Sequence, residues 1–328
     1  MHLRLKRRKF GQLALASAAT TVLSNLATKA VAQQPQLNIY GVRLTPASSS
    51  IRADLAEATS ANITPGIILQ SVDLVNNQEL STAEISGQTV QNQQDATETT
   101  SQAFVINKPS ERVTGFTALS DGTFVAAVSA ATKKGEFSRF IFFSADGKNS
   151  TPKALKAKKI KKHNTVESLL AIQNDQIISI VSLNQGQPPF ELALIDLKSG
   201  QVNSGAALAL PNLPLSNRFS NLAQSTDGTI YATTMDAEGV PILVNLDLQN
   251  KSAITGRGKI NRLVRLSFNN SPLESDLNSL AFSSSNQLFA LANPQNEGTN
   301  SLFTVDLKTG EMKFVRKFAV DKIAFKKV

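Results

Sequence analysis

Apolar and polar positions alternate over short stretches along most of the chain, and a tight polar turn often separates two such stretches. Four units of this kind align with one another: VTGFTALSDGTFVAAVS from Val113, VESLLAIQNDQIISIVS from Val166, FSNLAQSTDGTIYATTM from Phe219 and LNSLAFSSSNQLFALAN from Leu277. Alternation interrupted by Asp-Gly or a similar pair is typical of a β-hairpin. The hairpin recurs about every 55 residues, which indicates a repeat architecture.

A second series of strands falls between the hairpins, and each of these strands ends in its own turn. The series reads LQSVDLVNNQ, FIFFSADGK, LALIDLKSGQ, LVNLDLQNKS and LFTVDLKTGE, with Asp73, Asp196, Asp247 and Asp306 in register. A fourth strand follows, most clearly EMKFVRKF from Glu311. Four antiparallel strands per repeat predict an all-β fold, the β-propeller.

The two ends of the chain complete each other. VDKIAFKKV from Val320 matches the first strand of a blade, whereas LNIYGVRL from Leu37 matches a second strand. We therefore predict a five-bladed propeller closed by pairing of the N- and C-terminal strands in one shared blade. Six blades is the alternative if residues 45–65 or 84–102 contain further strands. Residues 33–328 are expected to form a single domain with a polar loop insertion at about 81–102.

The first 32 residues resemble a cleavable export signal. A basic run precedes a mildly apolar segment, and small residues stand before the expected cleavage site. The residues that carry the twin-arginine type of signal and its cleavage site are Arg7, Arg8, Phe10, Ala30 and Ala32. We expect an exported protein in the periplasm, the thylakoid lumen or the medium, without a transmembrane anchor after cleavage. A basic tail on a cytosolic protein is the alternative.

Removing this segment changes the charge of the chain. Six of the 34 basic residues and none of the 25 acidic ones lie in residues 1–32, so the net charge falls from +9 to about +3. The basic isoelectric point is therefore weak evidence for nucleic-acid binding. The absence of cysteine excludes disulfides and thiolate metal sites. The chain has no tryptophan and two tyrosines, which disfavours broad sugar-stacking surfaces.

Residue types with catalytic chemistry are scarce, and we assign no catalytic residue. His163 is the one histidine after residue 32, which excludes a multi-histidine metal site, and we interpret it as solvated. The recurrent aspartates at strand ends are expected to accept backbone N–H groups of their own turns.

A more specific candidate for a binding site lies on the innermost strands, which line the central channel of a propeller. The polar residues at one repeated position are Thr114, Glu167, Ser220, Asn278 and Asp321. Two residues further on, every copy is apolar: Phe116, Leu169, Leu222, Leu280 and Ile323. Alternation then places the polar set at the mouth of the channel. Such oxygen ligands would suit calcium, whereas the simpler interpretation is that strand starts are polar because they lie near water.

One basic cluster remains after the signal, in PKALKAKKIKKH from Pro152. It contains Lys156, Lys158, Lys159, Lys161 and Lys162. These lysines would either bind an anionic surface or protect an exposed blade edge from sheet-to-sheet aggregation, the interpretation we favour. Aromatic stacking residues are missing around them, which disfavours nucleic acid as a partner.

The unit LAFSSSNQLFALANPQNEGTNSLFTVDLKTGEM from Leu280 resembles blades of the broad propeller group that includes quinoprotein-like and YVTN-type repeat proteins. This resemblance implies the β-propeller fold. It does not extend to quinone chemistry, because the tryptophan-rich blades of those enzymes are missing. Glu167, Asn278 and Asp321 are similar in type to the Glu, Asn and Asp set of calcium-dependent lactonase-like propellers.

The sequence thus predicts an exported, non-catalytic propeller that acts as a binding or scaffold module for a protein or envelope partner. The alternative is a calcium-dependent hydrolase or lactonase with its site at the channel mouth. No cofactor is expected other than that calcium ion.

Overall fold

The computed structural model describes residues 37–44, 67–85, 111–132, 135–145, 153–161, 163–205, 209–215, 217–294 and 298–327. These residues form five separate sheets of mainly antiparallel strands, which we number as blades 1 to 5. The expected export signal at 1–32 lies outside the described residues, as do residues 45–66 and 86–110.

The strands are numbered in chain order. Blade 1 contains β1 (Asn38–Leu44), β2 (Ile67–Asp73), β3 (Gln78–Ile85) and the C-terminal β22 (Lys322–Phe325). Blade 2 contains β4 (Arg112–Ala118), β5 (Thr123–Thr132), β6 (Gly135–Ser144) and β7 (Lys153–Lys156). Blade 3 contains β8 (Thr165–Ala171), β9 (Ile177–Asn184), β10 (Gln187–Asp196) and β11 (Gln201–Ser204). Blade 4 contains β12 (Phe219–Gln224), β13 (Ile230–Met235), β14 (Pro241–Asp247) and β15 (Lys259–Arg265). Blade 5 contains β16 (Ser267–Phe268), β17 (Ser271–Pro272), β18 (Leu277–Phe282), β19 (Leu288–Ala292), β20 (Ser301–Val305) and β21 (Glu311–Lys317).

One strand from each blade faces the axis of the ring. These inner strands are β22, β4, β8, β12 and β18, and each contacts the next until β18 meets β22. β22 pairs antiparallel with β1, with Ile39 opposite Phe325 and Val42 opposite Lys322. The predicted five-bladed propeller with one shared blade is therefore confirmed, and the ring closes without a sixth blade.

Five apolar clusters hold the ring together, one between each pair of neighbouring blades. The cluster between blades 1 and 2 includes the stacked rings of Phe116 and Phe124, 5.1 Å apart between centroids, and the tilted ring of Tyr40, 4.8 Å from Phe124. A blade packs a neighbour on each of its two faces, so its middle strands are apolar on both sides. This explains the weak alternation in strands such as β5 and β19.

The recurrent aspartates close the outer turns, as predicted. The Oδ1 atom of Asp306 accepts the backbone N–H groups of Lys308 (2.7 Å) and Thr309 (3.0 Å). Asp73, Asp196 and Asp247 make the same kind of contact in their own turns. The N–H bond from Thr309 is the largest of the effects that hold the pKa of Asp306 below its ordinary value.

Two features of the outer edges differ from the sequence prediction. β3 extends to Ile85, so residues 81–85 continue the outer strand of blade 1, and the remainder of the expected insertion lies outside the described residues. Most side chains of β3 are exposed, which explains their polar composition. The short hairpin of β16 and β17 adds to blade 5, with β16 parallel to β21.

Candidate functional site

Four of the five inner strands, β4, β8, β12 and β18, carry a bulge near their start, at the channel mouth, whereas β22 pairs with β1 without a register shift. The register of β4 on β5 shifts between Val113 and Gly115, and that of β8 on β9 between Val166 and Ser168. Similar shifts occur in β12 and β18. A bulge inserts one unpaired residue, so the side chain that faces the axis comes one position later than strict alternation predicts.

A small polar cavity lies on the axis, and all five blades contribute to its lining. Its volume is about 10 Å³, close to what one water molecule requires. The residue that follows each predicted site residue lines it: Gly115, Ser168, Asn221, Ser279 and Lys322. Of the five predicted residues, all of them described, Thr114 belongs to the lining and the other four do not. The residues that line the cavity thus come one position after the predicted ones, and nothing in the sequence pattern revealed the bulges.

The cavity lining joins neighbouring blades. Ser168 Oγ accepts the N–H of Leu222 at 3.0 Å, which links blades 3 and 4. Ser279 Oγ accepts the N–H of Ile323 at 3.1 Å, which links blade 5 to blade 1. Asn221 Nδ2 donates to the Leu277 carbonyl oxygen at 2.7 Å, between blades 4 and 5. These polar side chains therefore satisfy buried backbone groups.

Glycine is required at the corresponding position of blade 2. A Cβ atom on Gly115 would lie 2.8 Å from both the backbone nitrogen and Cγ of Leu169. Blade 2 instead contributes Thr117, whose Oγ1 accepts the N–H of Ala171 in blade 3 at 3.0 Å.

Lys322 brings a positive charge to the axis. Its Nζ donates a hydrogen bond to the backbone carbonyl oxygen of Asn278 in blade 5. Burial lowers the pKa of this ammonium group to about 8; nearby Glu167, Asp276 and Asp321 oppose that shift, and Arg218 adds to it. An ammonium group held at the axis disfavours a second cation beside it.

Two ion pairs cross between blades around the same mouth. Arg112 of blade 2 donates two hydrogen bonds to the Glu167 carboxylate of blade 3, at 2.7 and 2.9 Å. Arg218 Nε lies 2.5 Å from Asp276 Oδ2. The arginine side chains are 39% and 47% exposed and their acidic partners 13% and 21%, so the cationic member of each pair faces solvent.

The remaining predicted site residues also have partners within the propeller. Thr114 Oγ1 lies 3.4 Å from the Ala127 carbonyl oxygen, Ser220 Oγ lies 2.9 Å from Thr233 Oγ1, and Asn278 Nδ2 donates to Asn300 Oδ1 at 2.6 Å. Burial raises the pKa of Asp321, against the lowering effects of the Leu44 N–H, Lys322 and Arg43. Within the described ranges, no group of three His, Cys, Asp or Glu side chains is arranged to hold a metal ion.

Neither the histidine nor the described part of the basic cluster lines the axial cavity. His163 is exposed, and its Nδ1 lies 3.0 Å from Gln185 Nε2. Lys156 ends β7, while Lys158 forms a parallel bridge to Gln201 at the edge of blade 3. Lys159 and Lys161 are exposed, and Lys162 lies outside the described residues. In the part of the chain that the structure covers, no helix has the length and apolar character needed to cross a membrane.

No family model matches the chain, and no curated protein matches it by sequence. Among solved structures, it is similar to an intramolecular trans-sialidase from Ruminococcus gnavus in complex with oseltamivir carboxylate (TM-score 0.41, 10% identity, 79% of this chain and 51% of the other). The chain thus spans about half the length of that enzyme. It is also similar to a protein of unknown function from Bacteroides caccae (TM-score 0.41, 8% identity, 88% of this chain and 98% of the other). A third similar structure is a glucose dehydrogenase (TM-score 0.42, 9% identity, 83% of this chain and 79% of the other). The assignment of this chain as a five-bladed propeller rests on its own sheets and closed ring of inner strands.

Proposed function

We propose that the protein is an exported, non-catalytic β-propeller that serves as a binding or scaffold module for an envelope or protein partner. The observation that carries this proposal is the small volume of the cavity on the axis. The cavity of about 10 Å³ leaves no room for an organic substrate, and its polar side chains bond to the backbone of adjacent blades.

The charges at the mouth support the same conclusion. A hydrolytic site needs a carboxylate that is available to a metal ion or to a reacting water molecule. Glu167 is instead held by two hydrogen bonds from Arg112, and Asp276 by Arg218. The Lys322 ammonium group stands at the axis near both carboxylates. This arrangement favours a rigid, internally neutralised ring over the competing calcium-dependent hydrolase.

Thermal unfolding of residues 33–328 with calcium and with a chelator separates these two functions. We expect the same melting temperature in both conditions, for the wild type and for the double variant Glu167→Gln/Asp321→Asn. A calcium-dependent rise that disappears in the double variant would place an ion at the mouth and support the hydrolase, since a ligand that binds the folded state stabilises it.

The binding role itself is tested by reconstitution. Immobilised protein should retain an envelope component that, once purified, binds residues 33–328 saturably and with defined stoichiometry. If purified candidates show no saturable binding, or if the protein turns one of them over, the scaffold role is wrong.

A further inference from the structure

We infer that Lys156, Lys158, Lys159 and Lys161, which we call the lysine ridge, form a preorganised binding surface for a linear polyanion. The inference deepens the proposed binding function, on which it rests, by giving the chemical class of a partner. It depends on how the structure fixes this segment at the rim of blades 2 and 3.

Backbone hydrogen bonds hold the segment in place. The N–H of Ala157 donates to the Ser138 carbonyl oxygen in blade 2 at 2.9 Å. The N–H of Lys158 donates to Gly200 in blade 3 at 2.7 Å, and the Lys158 carbonyl oxygen accepts the N–H of Val202 at 3.0 Å. The segment therefore bridges two blades and covers the edge of β11. Glycine at position 200 permits this approach, because a Cβ there would collide with the Lys156 carbonyl oxygen.

Apolar side chains within the segment determine where the lysines point. Ala157 is buried, and Leu155 and Ile160 pack against the apolar cluster between blades 2 and 3. Alternation from Leu155 places Lys156 and Lys158 on the outer face. Strict alternation would then turn Lys159 inward and Ile160 outward.

The backbone of Lys159 prevents that outcome. Its φ of 58° lies in the left-handed region, which a lysine rarely adopts. The change of direction returns Ile160 to the apolar cluster and leaves Lys159 and Lys161 exposed. All four ammonium groups are thus presented on one segment whose backbone is already ordered, so binding would require little further ordering of the main chain.

In the described part of the chain, none of these lysines forms an ion pair. Asp196, beside the bridge at Gln201, is engaged in its own turn, where it accepts the Lys198 N–H at 2.9 Å and the Ser199 hydroxyl at 2.5 Å. The ridge is therefore a local excess of positive charge on a chain that is otherwise nearly neutral after residue 32.

The shape and surroundings of the ridge favour a linear polymer over a membrane. The lysines follow one extended segment along the rim, with Lys156 and Lys158 about 7 Å apart along the strand. Stable attachment to a lipid surface usually needs apolar insertion in addition to charge. The large exposed apolar side chains of the described residues lie elsewhere: Val75, Leu80, Leu215, Ile254, Leu263 and Phe314.

The experiment is a titration of residues 33–328 with fluorescent long-chain inorganic polyphosphate at several salt concentrations. These residues contain every described strand, and their use removes the basic N-terminus. The test variant is Lys156→Gln/Lys158→Gln/Lys159→Gln/Lys161→Gln. The matched control, Lys251→Gln/Lys259→Gln/Lys308→Gln/Lys313→Gln, removes the same charge from exposed lysines of blades 4 and 5.

We expect the ridge variant to lose at least tenfold in affinity, while the control keeps wild-type binding. The slope of log affinity against log salt should fall by roughly 3, since each neutralised phosphate contributes about 0.7 to 0.9. Equal losses in both variants would show that net charge alone matters and would overturn the inference. So would wild-type binding to vesicles containing phosphatidylglycerol without binding to polyphosphate. The calcium melts are independent of this titration, so failure of the ridge is distinguishable from failure of the scaffold proposal.

Discussion

Lys322 combines two opposing contributions to the stability of the propeller. Its Nζ bonds to the Asn278 carbonyl oxygen and lies near three carboxylates, yet removal of the ammonium group from water is costly enough to lower its pKa to about 8. A buried ammonium group surrounded by carboxylates adds little net stability to the folded protein, because the cost of removing it from water offsets much of the electrostatic attraction. The lysine thus specifies what can occupy the axis more than it stabilises the fold.

The pH dependence of unfolding should reveal this lysine. Its folded-state pKa of about 8 lies below the ordinary 10.5, so between these values the unfolded chain binds the proton more tightly. Raising the pH from 8 to 10.5 should therefore stabilise the wild type relative to Lys322→Met, by at most about 1.4 kcal/mol per pH unit. Chemical denaturation across this range measures the difference, with Lys326→Met as the control for an exposed lysine of the same segment. Parallel curves for wild type and Lys322→Met would contradict the assignment.

The inner strands are connected by side chains, because neighbouring blades are separate sheets with no shared backbone ladder. Ser168 and Ser279 occupy the same repeat position and accept N–H groups from the next inner strand. The bulge at the start of each strand turns these hydroxyls toward the adjacent blade. Local strand irregularity is therefore what allows separate sheets to be joined at the axis.

Removing the hydroxyl of Ser168 or of Ser279 should show how much each hydrogen bond between blades contributes to the free energy of unfolding. Ser168→Ala leaves the Leu222 N–H without its partner, and Ser279→Ala does the same to Ile323. We expect each to lower the free energy of unfolding by about 1 to 3 kcal/mol, the cost of an unsatisfied buried donor. Ser252→Ala is the matched control, since Ser252 accepts the Ile254 N–H in an exposed turn, and should change stability by less than about 0.5 kcal/mol. Denaturant titration would rule out the connecting role if all three variants were equally stable.

The ring as a whole depends on its C-terminal strand. β22 pairs with β1 and also contacts the inner strands β4 and β18. Ile323 lies in the apolar cluster between blades 5 and 1, and Ala324 in the cluster between blades 1 and 2. One short strand thus completes two blade interfaces, and it removes the open edge that β1 would otherwise present.

A chain that ends at Val320 should therefore lose cooperative unfolding and expose apolar surface. A chain that ends at Lys326 keeps β22 and serves as the control. Calorimetry and binding of a hydrophobic dye compare the two, and a synthetic peptide covering residues 319–328 should restore the transition when added to the shorter chain. An unchanged melting temperature in the chain ending at Val320 would show that β22 is dispensable for closure.

The sequence was informative wherever a feature repeats locally. The hairpins and the aspartate turns follow from patterns within a few residues of each other, and the strands at the two ends were matched by comparison with the repeat. The residues that line the axial cavity come one position after the predicted site residues, and the bulges near Gly115, Ser168 and Ser279 leave no mark in the alternation of the sequence. The hairpin of β16 and β17 was missed, since two-residue strands carry no periodic signal.

By itself, the sequence determined the all-β repeat, because alternation and turn chemistry are properties of neighbouring residues, and the shared blade, because each end of the chain matches a different strand of that repeat. It also supplied a repeat position one residue before the residues that line the axial cavity. The tertiary structure decided which side chains meet at the axis, that Lys322 stands among them, and that Lys159 turns the ridge outward. Those outcomes required the tertiary structure because they depend on how separate sheets pack, and close packing permits only certain backbone directions and side chains at each contact.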